Sequence, residues 1–208
     1  MLGGVRHPLN NADFSSYLLQ AQASGAKVIA LANAGGDMIN ATKQASEFGL
    51  SRGGQTLVSL LAFITDIHTL GLAAAQGLRF VTGFYWDRDN DTRAWSKRFF
   101  DRHGRMPTAA QASVYSAIRH YLWAIEAAGT DAALPVMAKM REIRIDDFYA
   151  RGGTLREDGR LLHDMYFVQV KTPAESTGPW DYYKVLATIP GEQAFRPAGE
   201  DGCPLIRR

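Results

Sequence analysis

The stretch KVIALANAGGDMINATKQASEF, Lys27 to Phe48, decides the fold. Its first half is an apolar run that stops at Asn33-Ala34-Gly35-Gly36. From Asp37 onward, Met38, Ile39, Thr42, Ala45 and Phe48 recur at helical spacing. VIALA is continuously apolar, so Lys27–Ala32 reads as a buried parallel strand. Asp37 to Phe48 reads as a helix that Gly49 ends. A strand–loop–helix junction of this kind is where open α/β sheets hold small ligands.

The same alternation extends in both directions. Upstream, Asn10, Asn11 and Asp13 offer helix caps, and Phe14, Tyr17, Leu18 and Ala21 recur at helical spacing up to Gly25. Downstream, Leu57–Ile64 reads as a strand, Ile67–Ala75 as a short helix and Arg79–Tyr85 as a strand. Asp91–His103 reads as a helix with Trp95 and Phe99 turned inward. Two of these strands end in polar turns, Thr65-Asp66 and Tyr85-Trp86-Asp87. Strands alternating with helices of this length predict an α/β fold, an open parallel Rossmann-like sheet with flanking helices. The character changes at His103–Pro107. Ala109–Ala128 is helical and apolar on more than one face, so it calls for burial against something substantial. Leu134–Ile143 reads as another helix. Asp158-Gly159 is a hairpin turn signal, followed by strands at Asp164–Lys171 and Trp180–Ile189 and a Pro/Gly-rich tail after Pro190.

Composition narrows the function classes. The 208 residues make one large domain or two small ones, with 23 Lys and Arg against 21 Asp and Glu. That balance gives no broad basic face and argues against nucleic acid as a partner. Cys203 is the only cysteine, which rules out an intrachain disulfide and a cysteine metal cluster. The histidines form no HxxxH or HxH pair, so no metal site is expected. There is no GxSxG elbow and no Walker loop; Asp87, Asp89 and Asp91 lack the glycine and distal glutamate of a calcium loop. No enzyme activity and no cofactor are expected. The N-terminus, MLGGVRHPLNNADF, has no apolar centre of the kind a secretion signal carries. Either the protein stays in the cytosol or its true start lies upstream.

Read in order, SSYLLQAQASGAKVIALANAGGD, KQASEFGL, GLRFVTGFYWD, WSKRFFDRHGRMPTAAQASVYSAIRHYLWAIEAAG and REDGRLLHDMYFVQVK resemble the type I periplasmic binding proteins. The closer resemblance is to their branched-chain amino-acid branch, the substrate-binding receptors of ABC importers. The resemblance implies two α/β lobes joined by hinge strands, with a small carboxylate ligand (a branched-chain amino acid or an aromatic acid) held between them. It also implies an ABC permease in the membrane as partner, a periplasmic location, and a start upstream of Met1. The incomplete two-lobe architecture it implies here has residues 1–105 as the second lobe, with a first strand near Gly3–Val5. Residues 106–150 would be helices left from the first lobe, and 151–208 returning hairpin strands and tail.

The candidate binding residues follow from the strand ends. At Asn33, Ala34, Gly35 and Gly36, glycine lets backbone N–H groups approach a ligand, and the helix start attracts an anion; the same residues also suit a plain tight turn. Thr65 and Asp66 follow the next strand. The resemblance implies a carboxylate near here for a ligand ammonium, whereas the residues alone favour contact for Thr65 and a helix N-cap at Ile67 for Asp66. Tyr85 would give an aromatic wall, with alternation placing it opposite Phe84 and Trp86. Gln111 and Tyr115 open the long helix, Tyr115 as packing. Two rival readings remain. One is a self-associating structural module, a homo-oligomer through the apolar face of Ala109–Ala128. The other is a cytosolic amino-acid or amide sensor of the same fold.

Overall fold

The computed structural model describes residues 1–51 and 53–200; Arg52 and Cys203 lie outside them. The elements run α1 (Ser15–Ala23), β1 (Val28–Leu31), α2 (Gly35–Glu47), β2 (Thr56–Ser59), α3 (Ile64–Leu70), α4 (Leu72–Ala75) and β3 (Arg79–Thr82). Then come α5 (Asn90–His103), α6 (Ala109–Ala128), α7 (Ala133–Glu142), β4 (Thr154–Leu155), β5 (Leu161–Leu162), β6 (Met165–Val170), β7 (Tyr183–Ile189) and α8 (Gly191–Ala194). They form two compact units. The first is Met1–Thr82 with Phe167–Ala187, and the second is Gly83–Tyr166 with the chain from Thr188.

The first unit carries the sheet, in the order β1-β2-β3-β6-β7. β1 and β2 are parallel, Val28 opposite Thr56 through Leu31 opposite Ser59. β2 and β3 are also parallel, with Val58 opposite Arg79. This is the parallel α/β arrangement that the alternation of strands and helices predicts. The core consists of Met38, Leu50, Leu57, Ile67, Leu78, Phe80, Val168 and Val170, all buried. Each such side chain contributes about 1.5–3 kcal/mol of burial.

The structure departs from the sequence reading at four places in this unit. β1 is not buried on both faces: Ile29 and Leu31 are covered, but Val28 is 55% exposed. β1 is an edge strand, and the alternation continues across the sheet, leaving Val81 of β3 exposed on its outward face as well. Gly3–Val5 is not a strand; the segment is exposed, and a Cβ on either glycine would meet nothing within 4 Å, so no ladder exists to order it. β2 ends at Ser59, and the helix after it starts at Ile64. That helix also breaks in two, because Gly71 takes φ 74°, a left-handed value that favours glycine.

The second unit is built on α5, α6 and α7. Thr108 caps α6 by accepting the Gln111 N–H, and Gly129 ends it with φ 64°. The core is aromatic. Trp95 of α5 stacks on Phe148 at 4.3 Å between ring centroids, and Phe84 meets both edge-on. Tyr149, Ile145, Ala112 and Ala150 complete the buried cluster. Gly83 has no room for a side chain, since a Cβ there would lie 2.8 Å from the Tyr149 hydroxyl. β4 and β5 form the expected hairpin around Asp158-Gly159. Within the second unit Trp95 and Tyr115 pack on Phe148, which ties α5, α6 and the 145–150 segment together.

Outward-facing residues of α6 remain uncovered: Val114, Ile118 and Leu122 are each more than half exposed. No helix among the described residues is long and apolar enough to cross a membrane.

Candidate functional site

In the first unit β1 leads into the segment at residues 32–34 before α2, and β2 into residues 60–63 before α3, whose first turn holds Thr65 and Asp66. Asn33 follows β1; its side-chain amide nitrogen lies 3.2 Å from His7 Nε2, while its Oδ1 is buried with no partner. His7 is held in turn by the edge of Phe14 at 4.8 Å. Ala34 is the N-cap residue of α2 and makes no side-chain cap bond, and Gly35 begins the helix. The first turn of α2 therefore has no side chain of its own over its backbone N–H groups. Asp37 sits in that turn but faces away to a different task. Its two oxygens accept the backbone N–H groups of Asn10 and Asn11, at 3.2 and 2.8 Å. Asn10 and Asn11 are thus donors to Asp37 rather than caps of α1, whereas Asp13 does accept the Ser15 N–H.

After β2, Ser59 is buried and donates to the Leu61 carbonyl, which turns the chain. Leu60 and Leu61 are left exposed at that end, at 63% and 48%. Asp66 is the third residue of α3, not its N-cap, and accepts the Phe63 N–H at 2.8 Å. Burial pushes its carboxyl up, and the Phe63 bond opposes that. Thr65 lies in the same turn, and its carbonyl accepts the Thr69 hydroxyl.

Tyr85 belongs to the second unit. β3 stops at Thr82, so the alternation expected over Phe84–Trp86 does not operate, and both Phe84 and Tyr85 are buried. Gln111 is taken up by helix capping, its Oε1 accepting the Thr108 N–H at 2.9 Å. Tyr115 packs edge-on against Trp95 and Phe148. In the first unit Asn33, Ala34 and Gly35 stand at the start of α2 and Thr65 and Asp66 in the first turn of α3, while Tyr85 and Gln111 belong to the second unit.

Sequence reasoning missed Arg88. Its guanidinium donates to Tyr166 Oη at 2.7 Å, to the Phe148 carbonyl at 2.8 Å and to Asp89 at 2.9 Å. Burial raises Asp89, but the Thr92 N–H and Arg88 together hold its carboxyl below the usual range. The only local signal was an arginine flanked by aspartates. A cavity of about 460 Å³ in the first unit, lined by Thr42, Ser46, Leu57, Ala75 and Leu78 among others, touches none of the candidate residues. Among the described residues no group of three His, Cys, Asp or Glu side chains could hold a metal ion.

A mostly parallel sheet with helices following its strands places the first unit in the open α/β class. The chain matches the family model for periplasmic binding proteins over residues 1–178, and it belongs to that family. A solved periplasmic binding protein from Burkholderia mallei is 51% identical, with a TM-score of 0.91 over 99% of this chain and 54% of its own. A branched-chain amino-acid ABC transporter periplasmic ligand-binding protein from Burkholderia xenovorans is 46% identical, with a TM-score of 0.90 over 98% of this chain and 55% of its own. A solute-binding protein of an ABC transporter from Rhodopseudomonas palustris, solved with benzoate, shares the fold at 17% identity and a TM-score of 0.71, over 86% of this chain and 48% of its own. The chain spans about half the length of the solved relatives it matches. No curated protein matches it.

Proposed function

We propose that the chain supplies one part of a solute-capturing receptor for an ABC importer, and that it contributes the start of α2 at Asn33–Gly35 and the first turn of α3 at Thr65–Asp66 to the site of a small carboxylate. The observation that carries this reading is the 46% identity, over nearly the whole chain, to a branched-chain amino-acid ABC transporter ligand-binding protein. Backbone N–H groups of α2 would meet the anion, and Leu60 and Leu61 the apolar body of the ligand. Tyr85 and Gln111, engaged within the second unit, would act as supports. Ligand contacts made to one conformation and not another would drive closure by population shift, the state an importer reads. The periplasm is the compartment this reading requires.

Titration of the 208-residue chain with leucine, isoleucine, valine and benzoate tests it, read by amide chemical shifts. Contacts from these segments alone should give weak binding, with Kd on the order of millimolar. The expected shifts cluster at residues 33–36 and 60–66. No shift at tens of millimolar would sink the reading.

The exposed Val114, Ile118 and Leu122 on α6 support a second reading, self-association through that face. Light scattering over a concentration series decides it: a rise in mass with concentration is expected, and a constant monomer mass refutes it.

A further inference from the structure

The segment between β6 and β7 holds one residue in a backbone conformation that its type disfavours. The Asp181 N–H donates to the Gly178 carbonyl at 3.2 Å, so Gly178-Pro179-Trp180-Asp181 closes a turn. Proline at the second position and a positive φ at the third are the pattern of a type II turn, which takes glycine at that third place. Here the third residue is Trp180, with φ 70°. Left-handed backbone is costly for a residue with a Cβ, and it persists where the surroundings over-determine it. They do so here. The buried Asp181 accepts the N–H and the hydroxyl of Thr177 at 2.9 and 3.0 Å and pairs with Lys171, whose own N–H donates to the Tyr182 carbonyl at 2.8 Å.

What the strained turn delivers is an indole against α3. The Trp180 ring, 6% exposed, lies 4.0 Å from the His68 ring with 7° between the two planes. Tyr182 places its hydroxyl 2.7 Å from His68 Nδ1. His68 is an exposed residue of α3, and Thr65 and Asp66 precede it on the same helix. All of these residues belong to the first unit. Glycine at position 180 would suit the backbone and bring no ring to α3. We infer that the turn at residues 178–181 clamps α3, and that Trp180 is a positioning residue for the helix that carries Thr65 and Asp66. The consequence for a ligand rests on the receptor reading above; the clamp itself does not.

Trp180→Gly and Trp180→Ala both remove the ring and differ only in the backbone. Glycine ordinarily gives the less stable variant of such a pair; strain at φ 70° reverses the order, making Trp180→Gly the more stable by about tenfold in the unfolding constant. Amide exchange at residues 64–70 should quicken in both variants by about tenfold against the rest of the first unit, and Trp180→Phe should restore the protection. His68→Ala, on an exposed residue, should loosen the same stretch with the turn left intact. In titrations with leucine and benzoate, Kd should rise about threefold or more in both Trp180→Gly and Trp180→Ala and recover in Trp180→Phe, following the ring and not the order of stability. Exchange at residues 64–70 that stays unchanged in Trp180→Gly and His68→Ala overturns the clamp, and Trp180→Ala at least as stable as Trp180→Gly overturns the strain. A Kd that stays put while α3 loosens overturns the positioning role. A wild-type chain that binds no carboxylate overturns the receptor reading and the positioning role with it, while exchange at residues 64–70 still decides the clamp.

Discussion

The two units reach stability by different routes. The first unit is a sheet packed with helices, and its order follows from repetition: strand, loop, helix, with side chains alternating between buried and less buried. The second has only short strands of its own, and its order comes from rings: Trp95, Phe148, Phe84 and Tyr149 fill the centre, and Arg88 binds the surrounding carbonyls. Periodic burial spreads stability over many small contributions, whereas an aromatic cluster concentrates it in a few large side chains.

The sharpest way to break that contrast is to truncate one residue in each core. Trp95→Ala removes the ring stacked on Phe148 and should cost about 3–5 kcal/mol; Ile67→Ala, fully buried beneath the sheet, about 2–4 kcal/mol. Urea unfolding followed by amide exchange should show each loss confined to its own unit. A uniform loss across the chain would mean that the units unfold as one.

Arg88→Ala sharpens the same contrast on the polar side. It strips donors from the Phe148 carbonyl, Tyr166 Oη and Asp89 at once and should destabilise the second unit by about 1.5–3 kcal/mol. Arg88→Lys should recover only part of this, because an ammonium cannot reproduce the planar fork. Full recovery would mean that charge alone matters here.

How far each unit was legible in the sequence follows the same divide. The α/β order, α6 with its boundaries at Ala109 and Ala128, and the hairpin at Asp158-Gly159 are all local signals, since periodicity and turn residues act over a few positions. The edge position of β1 was not legible, because VIALA looks the same with one neighbour as with two. Tyr85 was misplaced for a related reason: alternation holds only inside a strand, and β3 ends at Thr82. Near the candidate residues, the engagement of Asp37 with residues 26 and 27 positions away was not legible, because a hydrogen bond over that distance depends on tertiary packing. Gln111 carried its capping role in plain view, as the third residue after Thr108.

Acid should separate the units by pH window. In the second unit, burial holds His163 below its ordinary 6.5, so the folded state prefers the neutral ring. The unfolded chain takes up that proton first, so this stability is present above pH 6.5 and is lost as pH falls through the lower folded value. In the first unit, burial pushes Asp181 up, but Lys171 and Thr177 hold it below 3.8 on balance. Its contribution is present above 3.8 and is lost only as pH drops further. Amide exchange at a series of pH values should therefore show the second unit weakening before the first. His163→Asn should flatten the earlier step, and a first unit that weakens at the higher pH would contradict the assignment.

The smallest effect on folding is expected where exposure is greatest. Ile118 is 54% exposed on α6, so Ile118→Glu removes little buried area and should change stability by no more than about 0.5 kcal/mol. It nevertheless places a charge in the middle of the stripe formed with Val114 and Leu122. If α6 covers that stripe by meeting another copy, the substitution should abolish the concentration-dependent rise in mass while leaving the unfolding curve in place, because a desolvated carboxylate at an apolar contact costs far more than the side chain loses in the free monomer. Val81→Lys on the open face of the sheet makes the matching control in the first unit. Association lost with Val81→Lys and kept with Ile118→Glu would move the contact from the helical unit to the sheet.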